Sequence, residues 1–281
     1  MSVVANGSRW RGVCAHPLHV ARRNALFRGV TRLLDFPVLR AVDGIPHPIY
    51  LRFGPNLSMW VNGRPAEATE LATFDRLIRA TNASFFVDVG ANIGIYSFWF
   101  AAQRSPGHVL ALEPDPANVR CLARTTAHAR LSGIDIRAIA ASDHKGIAVF
   151  QFDDVSGLTG QLKSSAISFT ERHYGVRPRE ASVEVDTLDE IMRDGHPDII
   201  KIDVEGAEAS VLRGATSTLR VARPCILIEL GDGREDSTAV LQQEGYSLCD
   251  ASNLGPLKPE TWNALALPAD RAPSILAALR I

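Results

Sequence analysis

Residues that could do chemistry stand at the ends of predicted strands. The segment DVGANIG, residues 88–94, separates an apolar run from a helix-like run. A glycine-rich turn in this position often holds part of a nucleotide, because backbone N–H groups at a helix N-terminus are free to bind a ligand. Glu113 follows the next apolar run, and Asp203 and Glu205 follow a later one. We expect a nucleotide-like ligand at the turn and proton transfer by nearby carboxylates.

The composition of the turn limits the kind of nucleotide. A dinucleotide site favours G-x-G-x-x-G, whose middle glycine lets the pyrophosphate approach the backbone. Asn92 occupies this middle position in the GANIG turn, and the turn contains no Lys or Arg for phosphate. Asp88 and Asn92 could instead hydrogen-bond a zwitterion. The turn therefore favours a nucleoside with an amino-acid tail.

Glu113 limits the ligand further. It closes the next predicted strand, 19 residues after Gly94. A carboxylate at the end of the second strand is well placed to accept hydrogen bonds from both ribose hydroxyls. The same carboxylate would repel a 2′-phosphate, which disfavours NADP. A charge at the start of the following helix is the alternative role for Glu113, and a buried structural carboxylate is the alternative for Asp88.

Alternating strands and helices must position these residues. From residue 85 onward, the predicted strands read FFVDVG, HVLALEP, IDIRAIAAS, DIIKIDVEG and PCILIELGD, and two more follow a helix near the C-terminus. Such alternation predicts a mostly parallel, doubly wound sheet whose ligand lies beyond the carboxyl ends of the strands. AEASVLRGATSTLR is predicted as one helix, residues 144–152 as an inserted strand, and residues 155–181 as a loop or lid.

The N-terminal region has a different pattern. Residues 21–42 have apolar positions at roughly helical spacing, and residues 47–61 predict two strands around a Gly-Pro-Asn turn. The basic face of the helical pattern could contact a membrane or a partner, although solvation of that face is the favoured interpretation.

Composition excludes several classes of protein. Lys and Arg total 30 and Asp and Glu total 31, so the basic footprint of a nucleic-acid-binding protein is absent and we expect no nucleic-acid partner. The four cysteines are dispersed, as expected for reduced core thiols. No run approaches the roughly 20 apolar residues of a membrane-spanning helix. We expect no membrane span and a cytoplasmic location.

Six segments carry a resemblance to a known family. DVGANIGIYS, ALEPDPANV, AIAASD, VDTLDEI, IKIDVEGAEASVLRG and ILIELGD occur in this order between about residues 70 and 232. In this order and spacing they resemble the FkbM family of S-adenosylmethionine-dependent methyltransferases, and IKIDVEGAE is the most specific. The resemblance implies a Rossmann-like class I methyltransferase fold. We divide the chain into an N-terminal extension of helix and β-hairpin, 1–65, and a methyltransferase domain, 66–281.

The resemblance also implies where S-adenosylmethionine binds. Gly90, Asn92 and Gly94 would line its methionine end, and Glu113 would hold its ribose. Either Ser142 or Asp143 would lie by the adenine. The full set of expected cofactor-binding residues is Asp88, Gly90, Ala91, Asn92, Gly94, Ser97, Glu113, Pro114, Ser142 and Asp143. One departure is visible, because the helix after Glu113 lacks the asparagine usual in its second half and reads RTT at 124–126.

Methyl transfer to an alcohol requires a positioned acceptor and a base. The resemblance implies a hydroxyl acceptor on a sugar, glycan or natural-product scaffold. Asp203 and Glu205 end a buried strand near the reaction centre. We expect Glu205 to be the base and Asp203 to position the cofactor or acceptor, with exchanged roles as an alternative and helix capping as another. His173, in the predicted lid, is a further candidate base.

Some questions stay open at this point. Asp203, Glu229 and Asp232 could hold Mg²⁺ to activate the acceptor oxygen, but the sequence contains no complete ligand set. Two rival functions are an NAD-dependent oxidoreductase, disfavoured by Asn92, and a non-catalytic binding module on a methyltransferase fold. The acceptor and the oligomeric state are not identified by the sequence.

Overall fold

The computed structural model describes residues 17–280 apart from 66, 105, 158, 165, 166, 194 and 232. In chain order, the strands are β1 (Pro37–Arg40), β2 (Ile49–Arg52), β3 (Phe85–Val89), β4 (His108–Leu112), β5 (Ile134–Arg137), β6 (Ala140–Ser142), β7 (Gly146–Phe152), β8 (Gln161–Leu162), β9 (Arg179–Thr187), β10 (Ile199–Ile202), β11 (Cys225–Glu229), β12 (Tyr246–Asp250) and β13 (Asn263–Pro268). The helices are α1 (Pro17–Ala21), α2 (Ala25–Leu33), α3 (Leu57–Asn62), α4 (Ala68–Thr81), α5 (Ile95–Gln103), α6 (Pro116–His128), α7 (Phe169–Tyr174), α8 (Leu188–Met192), α9 (Glu208–Arg213), α10 (Thr216–Val221), α11 (Arg234–Gln243) and α12 (Ala272–Leu279).

A seven-stranded sheet forms the centre of the fold, in the order β12-β13-β11-β10-β3-β4-β5. β13 runs antiparallel to both its neighbours, and the pairs from β11 to β5 are parallel. Within this sheet the chain begins with β3, continues through β4 and β5 toward one edge, and returns to β10 on the other side of β3. The strand order therefore reverses between β3 and β10, where a ligand is expected. This topology confirms the predicted Rossmann-like class I methyltransferase fold.

Both faces of the sheet are covered, as the apolar strands require. Successive side chains of a strand point to opposite faces. Val87 accordingly packs in one apolar cluster with α8, α9 and α10, whereas Phe86 packs in a second cluster with α4 and α5. The described cysteines, Cys121, Cys225 and Cys249, are buried and free.

A four-stranded sheet, β6-β9-β7-β8, stands beside the central one. β7 pairs antiparallel with β9, so the predicted inserted strand at 144–152 belongs to a long hairpin. The segment between these strands contains β8 and α7, where the sequence predicted a loop. IDIRAIAAS was predicted as one strand, but it forms β5 in the central sheet and β6 in the smaller one.

Two other predicted elements were wrong, and one helix was missed. The hairpin of the extension pairs β1 with β2, and residues 57–62 form helix α3, which ends at Gly63 in a left-handed conformation. AEASVLRGATSTLR is interrupted between α9 and α10, where a Cβ on Gly214 would overlap the carbonyl oxygen of Ser142. Helix α12, which packs against α4, was not predicted.

The extension is fixed to the central domain by a buried cation. Arg52 of β2 is only 2% exposed. Its guanidinium donates to Asp35 at 3.0 Å and to Asp115 at 2.9 Å, and it lies 3.5 Å from Asp154. Burial alone would lower the pKa of Arg52, but the hydrogen bond to Asp35 and the nearby carboxylates raise it above its ordinary value. Arg52 thereby joins the extension to the start of α6 and to the loop after β7.

A second contact between the extension and the central domain lies at residues 124–126, where the sequence departs from the family pattern. Thr125 of α6 is fully buried, and its hydroxyl accepts a hydrogen bond from the backbone N–H of Tyr50 at 2.8 Å. The same hydroxyl donates to the carbonyl of Cys121 at 2.9 Å. Thr125 therefore attaches strand β2 to helix α6.

We expect Arg52→Ala to lower the free energy of unfolding by about 3 kcal/mol, because it leaves the buried carboxylate of Asp115 without its cation. Arg64→Ala is the matched control, because the Arg64–Asp43 pair is exposed on both sides and is expected to contribute less than about 1 kcal/mol. Urea unfolding of both variants at one pH measures the difference. Equal losses would contradict the role given to Arg52.

Candidate active site

The turn after β3 is held against two neighbouring strands. The N–H groups of Gly90 and Ala91 both donate to the carbonyl of Leu112 at 3.0 Å. Gly90 has φ +79°, and a Cβ there would overlap the carbonyl oxygen of Asp203. A positive φ and this close approach both require glycine. The turn therefore connects the ends of β3, β4 and β10.

Glu113 lies beneath this turn. Its Oε2 accepts the N–H of Asn92 at 2.8 Å, and its Oε1 accepts the N–H of Asp115 at 2.8 Å. The residue is 5% exposed, and burial raises its pKa to about 7 despite these hydrogen bonds. A carboxylate has about four acceptor sites, so Glu113 retains capacity for a ligand donor.

Asp88 offers a buried oxygen without a partner. Its Oδ2 accepts the hydroxyl of Ser97 at 2.7 Å, whereas its Oδ1 has no hydrogen bond within the described part of the chain. Burial raises the pKa of Asp88, and the nearby Lys201 opposes the rise. An unsatisfied buried oxygen is costly, so a ligand that donates to it would be stabilised.

Lys201 was missed in the sequence, and it supplies a cation beside the carboxylates of the site. It lies in the middle of β10, 6% exposed and in register with Asp88 of β3. Its Nζ donates to Asp203 at 2.7 Å and lies 4.6 Å from the centre of the Tyr96 ring. Burial opposes its charge, but Asp203, Glu67 and Asp88 raise its pKa above the ordinary value. The available signal was one lysine inside the apolar strand IIKI.

Three carboxylates converge at the ends of β10 and β11. Oxygens of Asp203, Glu205 and Glu229 all lie within 4.8 Å of one another. Burial, and then the charge of Asp203, raises the pKa of both Glu205 and Glu229 well above the ordinary value. Glu229 also accepts the indole N–H of Trp262. The cluster would be stabilised by a proton or by a further cation.

The loop that carries Glu205 is held in an unusual conformation. Glu205 has φ +55°, which is uncommon for a residue other than glycine. The carboxylate of Glu208 accepts the N–H of Gly206 at 2.9 Å and that of Val204 at 3.3 Å. Glu208 therefore does the local capping, and Glu205 is left to face the cavity.

A cavity of about 220 Å³ joins these groups. Of the predicted residues, its lining contains Asp88, Gly90, Ala91, Asn92, Glu113, Pro114, Asp203, Glu205 and Glu229. The sequence did not point to several others that line it, namely Arg52, Asn56, Met59, Pro65, Glu67, Tyr96, Asp153, Lys201 and Trp262. The extension thus forms part of the wall.

Four residues expected to bind the cofactor lie outside this lining. Gly94 has φ +90°, and a Cβ there would overlap Leu122, so its role here is to let α5 pack closely on α6. Ser97 is fully buried and acts through its hydrogen bond to Asp88.

The other two belong to the end of β6. Ser142 is buried beside the backbone of Gly214, and Asp143 is bonded to His144 at 2.7 Å. The cavity is lined near this point by Ala140 and Ala141 instead.

The remaining residues to place are the candidate base His173 and the candidate metal ligands. His173 packs against Phe169 in α7, with ring centres 4.3 Å apart, and is not among the cavity-lining residues. Asp232 lies outside the described residues. Asp203, Glu205 and Glu229 could together hold a divalent cation, and Lys201 already neutralises one oxygen of Asp203.

A closing loop follows β7. The buried carboxylate of Asp153 accepts hydrogen bonds from the backbone of Val155 and Ser156 and from the side chain of Thr159, at 2.8 to 3.0 Å. Burial would raise its pKa, but these hydrogen bonds lower it overall. This loop contacts the turn after β3, because the carbonyl of Gly157 accepts a hydrogen bond from the side-chain N–H of Asn92 at 2.9 Å.

Comparison with known proteins gives one family. The family model described as "Methyltransferase FkbM domain" matches residues 88–248. "Methyltransferase 1" of Beauveria bassiana is 24% identical over 59% of this chain and 73% of its own length. "Methyltransferase sdnD" of Sordaria araneosa is 28% identical over 58% and 74%.

Among solved structures, the methyltransferase FkbM of Methylobacillus flagellatus KT is similar, with a TM-score of 0.46 and 20% identity. The match covers 66% of this chain but only 44% of that one. The family match spans more than half of the present sequence. It includes the turn after β3, Lys201 and the three carboxylates Asp203, Glu205 and Glu229. The chain therefore belongs to the FkbM methyltransferase family, and its cofactor is S-adenosylmethionine.

Proposed function

We propose that the protein transfers a methyl group from S-adenosylmethionine to a hydroxyl group of a sugar, glycan or natural-product scaffold. One observation carries the proposal: a single cavity is lined both by Glu113 with the glycine turn and by Asp203, Glu205 and Glu229. The first set of residues suits a nucleoside, and the second suits proton removal from an alcohol.

Glu113, Asp88 and the glycine turn fit the cofactor. Glu113 would hold the ribose hydroxyls, and the unpartnered oxygen of Asp88 would accept from the ammonium group of the methionine tail. The turn requires glycine at position 90, and Asn92 keeps its backbone N–H on Glu113. When bound, the cofactor supplies an electrophilic methyl group on a sulfonium whose leaving group is a neutral thioether.

Glu205 is the proposed general base. Asp203 is already paired with Lys201, which orients its carboxylate. Glu205 has a raised pKa, and a base whose pKa approaches the working pH combines proton affinity with a useful ionised fraction. With both substrates bound, the Glu205 carboxylate would take the proton of the acceptor hydroxyl, and S-adenosylmethionine would supply the methyl group and leave as S-adenosylhomocysteine.

The extension has a proposed role in closing the site. Arg52, Asn56, Met59 and Pro65 contribute to the wall of the cavity. We therefore treat residues 1–65 as an extension that completes the cavity of the methyltransferase domain, residues 66–281.

We expect Glu205→Gln to lower kcat by about 10²- to 10⁴-fold, the usual contribution of a general base. The wild-type rate should rise with pH through an ionisation above the ordinary carboxylate range, because Glu205 must lose its proton to act. The variant should lose this rise. The measurement is formation of S-adenosylhomocysteine with a hydroxylated acceptor found by screening sugars and hydroxylated scaffolds.

Two controls accompany this test. Glu190→Gln changes an exposed glutamate and should leave the rate and its pH profile unchanged. Repeating the assay with a chelator separates a metal-assisted reaction from carboxylate catalysis. If Asp203→Asn loses the pH-dependent rise and Glu205→Gln keeps it, the two roles are exchanged.

Cofactor affinity should depend on pH through Glu113. Ribose hydroxyls donate to the ionised carboxylate, so binding favours the form without the proton. With a pKa of about 7 in the free protein, affinity should increase as pH rises from 6 to 8. Glu113→Gln should weaken binding by about 1–3 kcal/mol and remove this dependence. Calorimetric titration with S-adenosylmethionine measures both, and an unchanged pH profile in the variant would contradict the assignment.

A further inference from the structure

The N-terminal extension contacts the methyltransferase domain close to Glu113. The contact is made by the buried side chain of Arg52, which lines the same cavity as Glu113. No helix in the described part of the chain is long and apolar enough to cross a membrane. The structure thus gives the extension a contact with the candidate site, and Arg52 is the residue that makes it.

A chain of hydrogen bonds between three buried residues joins the extension to Glu113. Nη1 of Arg52 donates to Oδ2 of Asp115 at 2.9 Å, and the backbone N–H of Asp115 donates to Oε1 of Glu113 at 2.8 Å. The exposed fractions of Arg52, Asp115 and Glu113 are 2%, 4% and 5%. The position of Asp115 therefore sets the direction of the N–H that holds one oxygen of Glu113.

Asp115 is itself held from two sides. It is the N-cap of α6, where its Oδ1 accepts the backbone N–H of Ala117 at 2.8 Å, and Arg52 occupies its other oxygen. Burial raises the pKa of Asp115, and the charge of Arg52 opposes this rise. The helix N-terminus also favours the ionised form of a capping carboxylate. Asp115 is thus a buried carboxylate whose nearest cation comes from the extension.

The charge of Asp115 acts on Glu113. Burial raises the pKa of Glu113 to about 7, and the negative charge of Asp115 contributes to the rise, whereas the hydrogen bonds from Asp115, Asn92 and Asn118 oppose it. A neighbouring like charge disfavours an ionised carboxyl group, and a cation paired with that neighbour reduces the effect. Arg52 is therefore placed to limit the repulsion between Asp115 and Glu113.

Other charged groups face the pair of Arg52 and Asp115. Asp35, which precedes β1, accepts from Arg52 at 3.0 Å, and Asp154, which follows β7, lies 3.5 Å from it. Arg179 of β9 donates to Asp154 at 3.0 Å. These contacts fix Arg52 from the extension and from the smaller sheet. The remaining charged residues that line the cavity are Glu67, Asp88, Asp153, Lys201, Asp203, Glu205 and Glu229.

We propose that Arg52 is a positioning residue for S-adenosylmethionine, which acts through Asp115 to orient Glu113 and to offset the negative charge beside it. The proposal rests on the role of Glu113 as the partner of the ribose hydroxyls in the proposed function. It gives the extension a part in cofactor binding as well as in the wall of the cavity.

The test is calorimetric titration of the full-length protein with S-adenosylmethionine from about pH 5 to pH 9, which gives the pH midpoint of affinity. Arg52→Gln leaves the charge of Asp115 uncompensated and should raise the midpoint by roughly one pH unit, because a nearby charge changes the pKa of a carboxyl group by about that much or more. At pH 7 the affinity should then fall roughly fivefold, because the ionised fraction of Glu113 falls from about one half to about one tenth. Asp115→Asn removes the charge, keeps a good N-cap residue, and should lower the midpoint.

Three further variants separate the route of action from simple loss of structure. Arg52→Gln introduced into Asp115→Asn should not move the midpoint further, because the residue through which Arg52 acts has lost its charge. Arg52→Lys keeps the cation and should restore a midpoint near that of the wild type. Arg64→Gln is the matched control, because it changes an exposed arginine of the extension and should leave both affinity and midpoint unchanged.

The outcomes distinguish this proposal from the role of Glu113. An equal loss of affinity at every pH in Arg52→Gln, with an unmoved midpoint, overturns the proposal and leaves Glu113 in its role if Glu113→Gln removes the pH dependence. An equal shift with and without the Asp115 charge also overturns it, because Arg52 would then act on the ligand directly. Thermal unfolding shows whether each variant is folded. If Arg52→Gln does not fold, an unmoved midpoint in Asp115→Asn overturns the proposal, and a lowered midpoint together with wild-type behaviour of Arg52→Lys supports it.

Discussion

The site depends on one buried lysine between two strands. Lys201 lies inside an otherwise apolar parallel strand, where an isolated ammonium group would be strongly disfavoured. It is tolerated because Asp88 lies opposite it on β3 and Asp203 follows it at the end of β10. These carboxylates are in turn tolerated because of the lysine. The same three charged residues line the cavity, so the pairing of β3 with β10 also positions residues of the candidate site.

The backbone adds a second constraint at the same junction. The turn at Gly90 approaches the carbonyl of Asp203 so closely that no side chain fits between them. The glycine turn and the residues at the end of β10 therefore cannot move apart without breaking the contact between β3 and β10. The position of Glu205 is fixed in addition by Glu208, which holds the backbone of the loop in its unusual conformation. The Glu205 side chain therefore lines the cavity. Arg52 extends the arrangement outward to the N-terminal extension.

The fold and the first half of the site were predictable from local patterns. Apolar runs that end in glycine or acidic residues identify β3, β4, β10 and β11, and parallel sheets place their ligands at those ends. Asn92 in the turn and Glu113 on the next strand were found in this way. The sequence did not show which residues from distant parts of the chain lie close together in space. Lys201, Glu67 and Trp262 come from separate parts of the chain, and only the sheet order brings them together.

The wrong predictions share one cause, which is that local pattern was overridden by packing. Residues 57–62 have strand-like composition but form a helix. Ser142 ends β6 and Asp143 follows it, and β6 pairs in the smaller sheet. Both residues lie outside the cavity lining, and their place beside the adenine stays a prediction.

The central claim is that one cavity holds the cofactor by Glu113 and Asp88 and exposes its methyl-bearing sulfur to the Asp203–Glu205–Glu229 cluster. A crystal structure of the protein with S-adenosylhomocysteine tests it most directly. We expect both ribose hydroxyls within hydrogen-bond distance of Glu113, the amino group beside Asp88, and the sulfur facing the carboxylate cluster. A ligand bound elsewhere, or one whose sulfur is directed away from Glu205, would contradict the account.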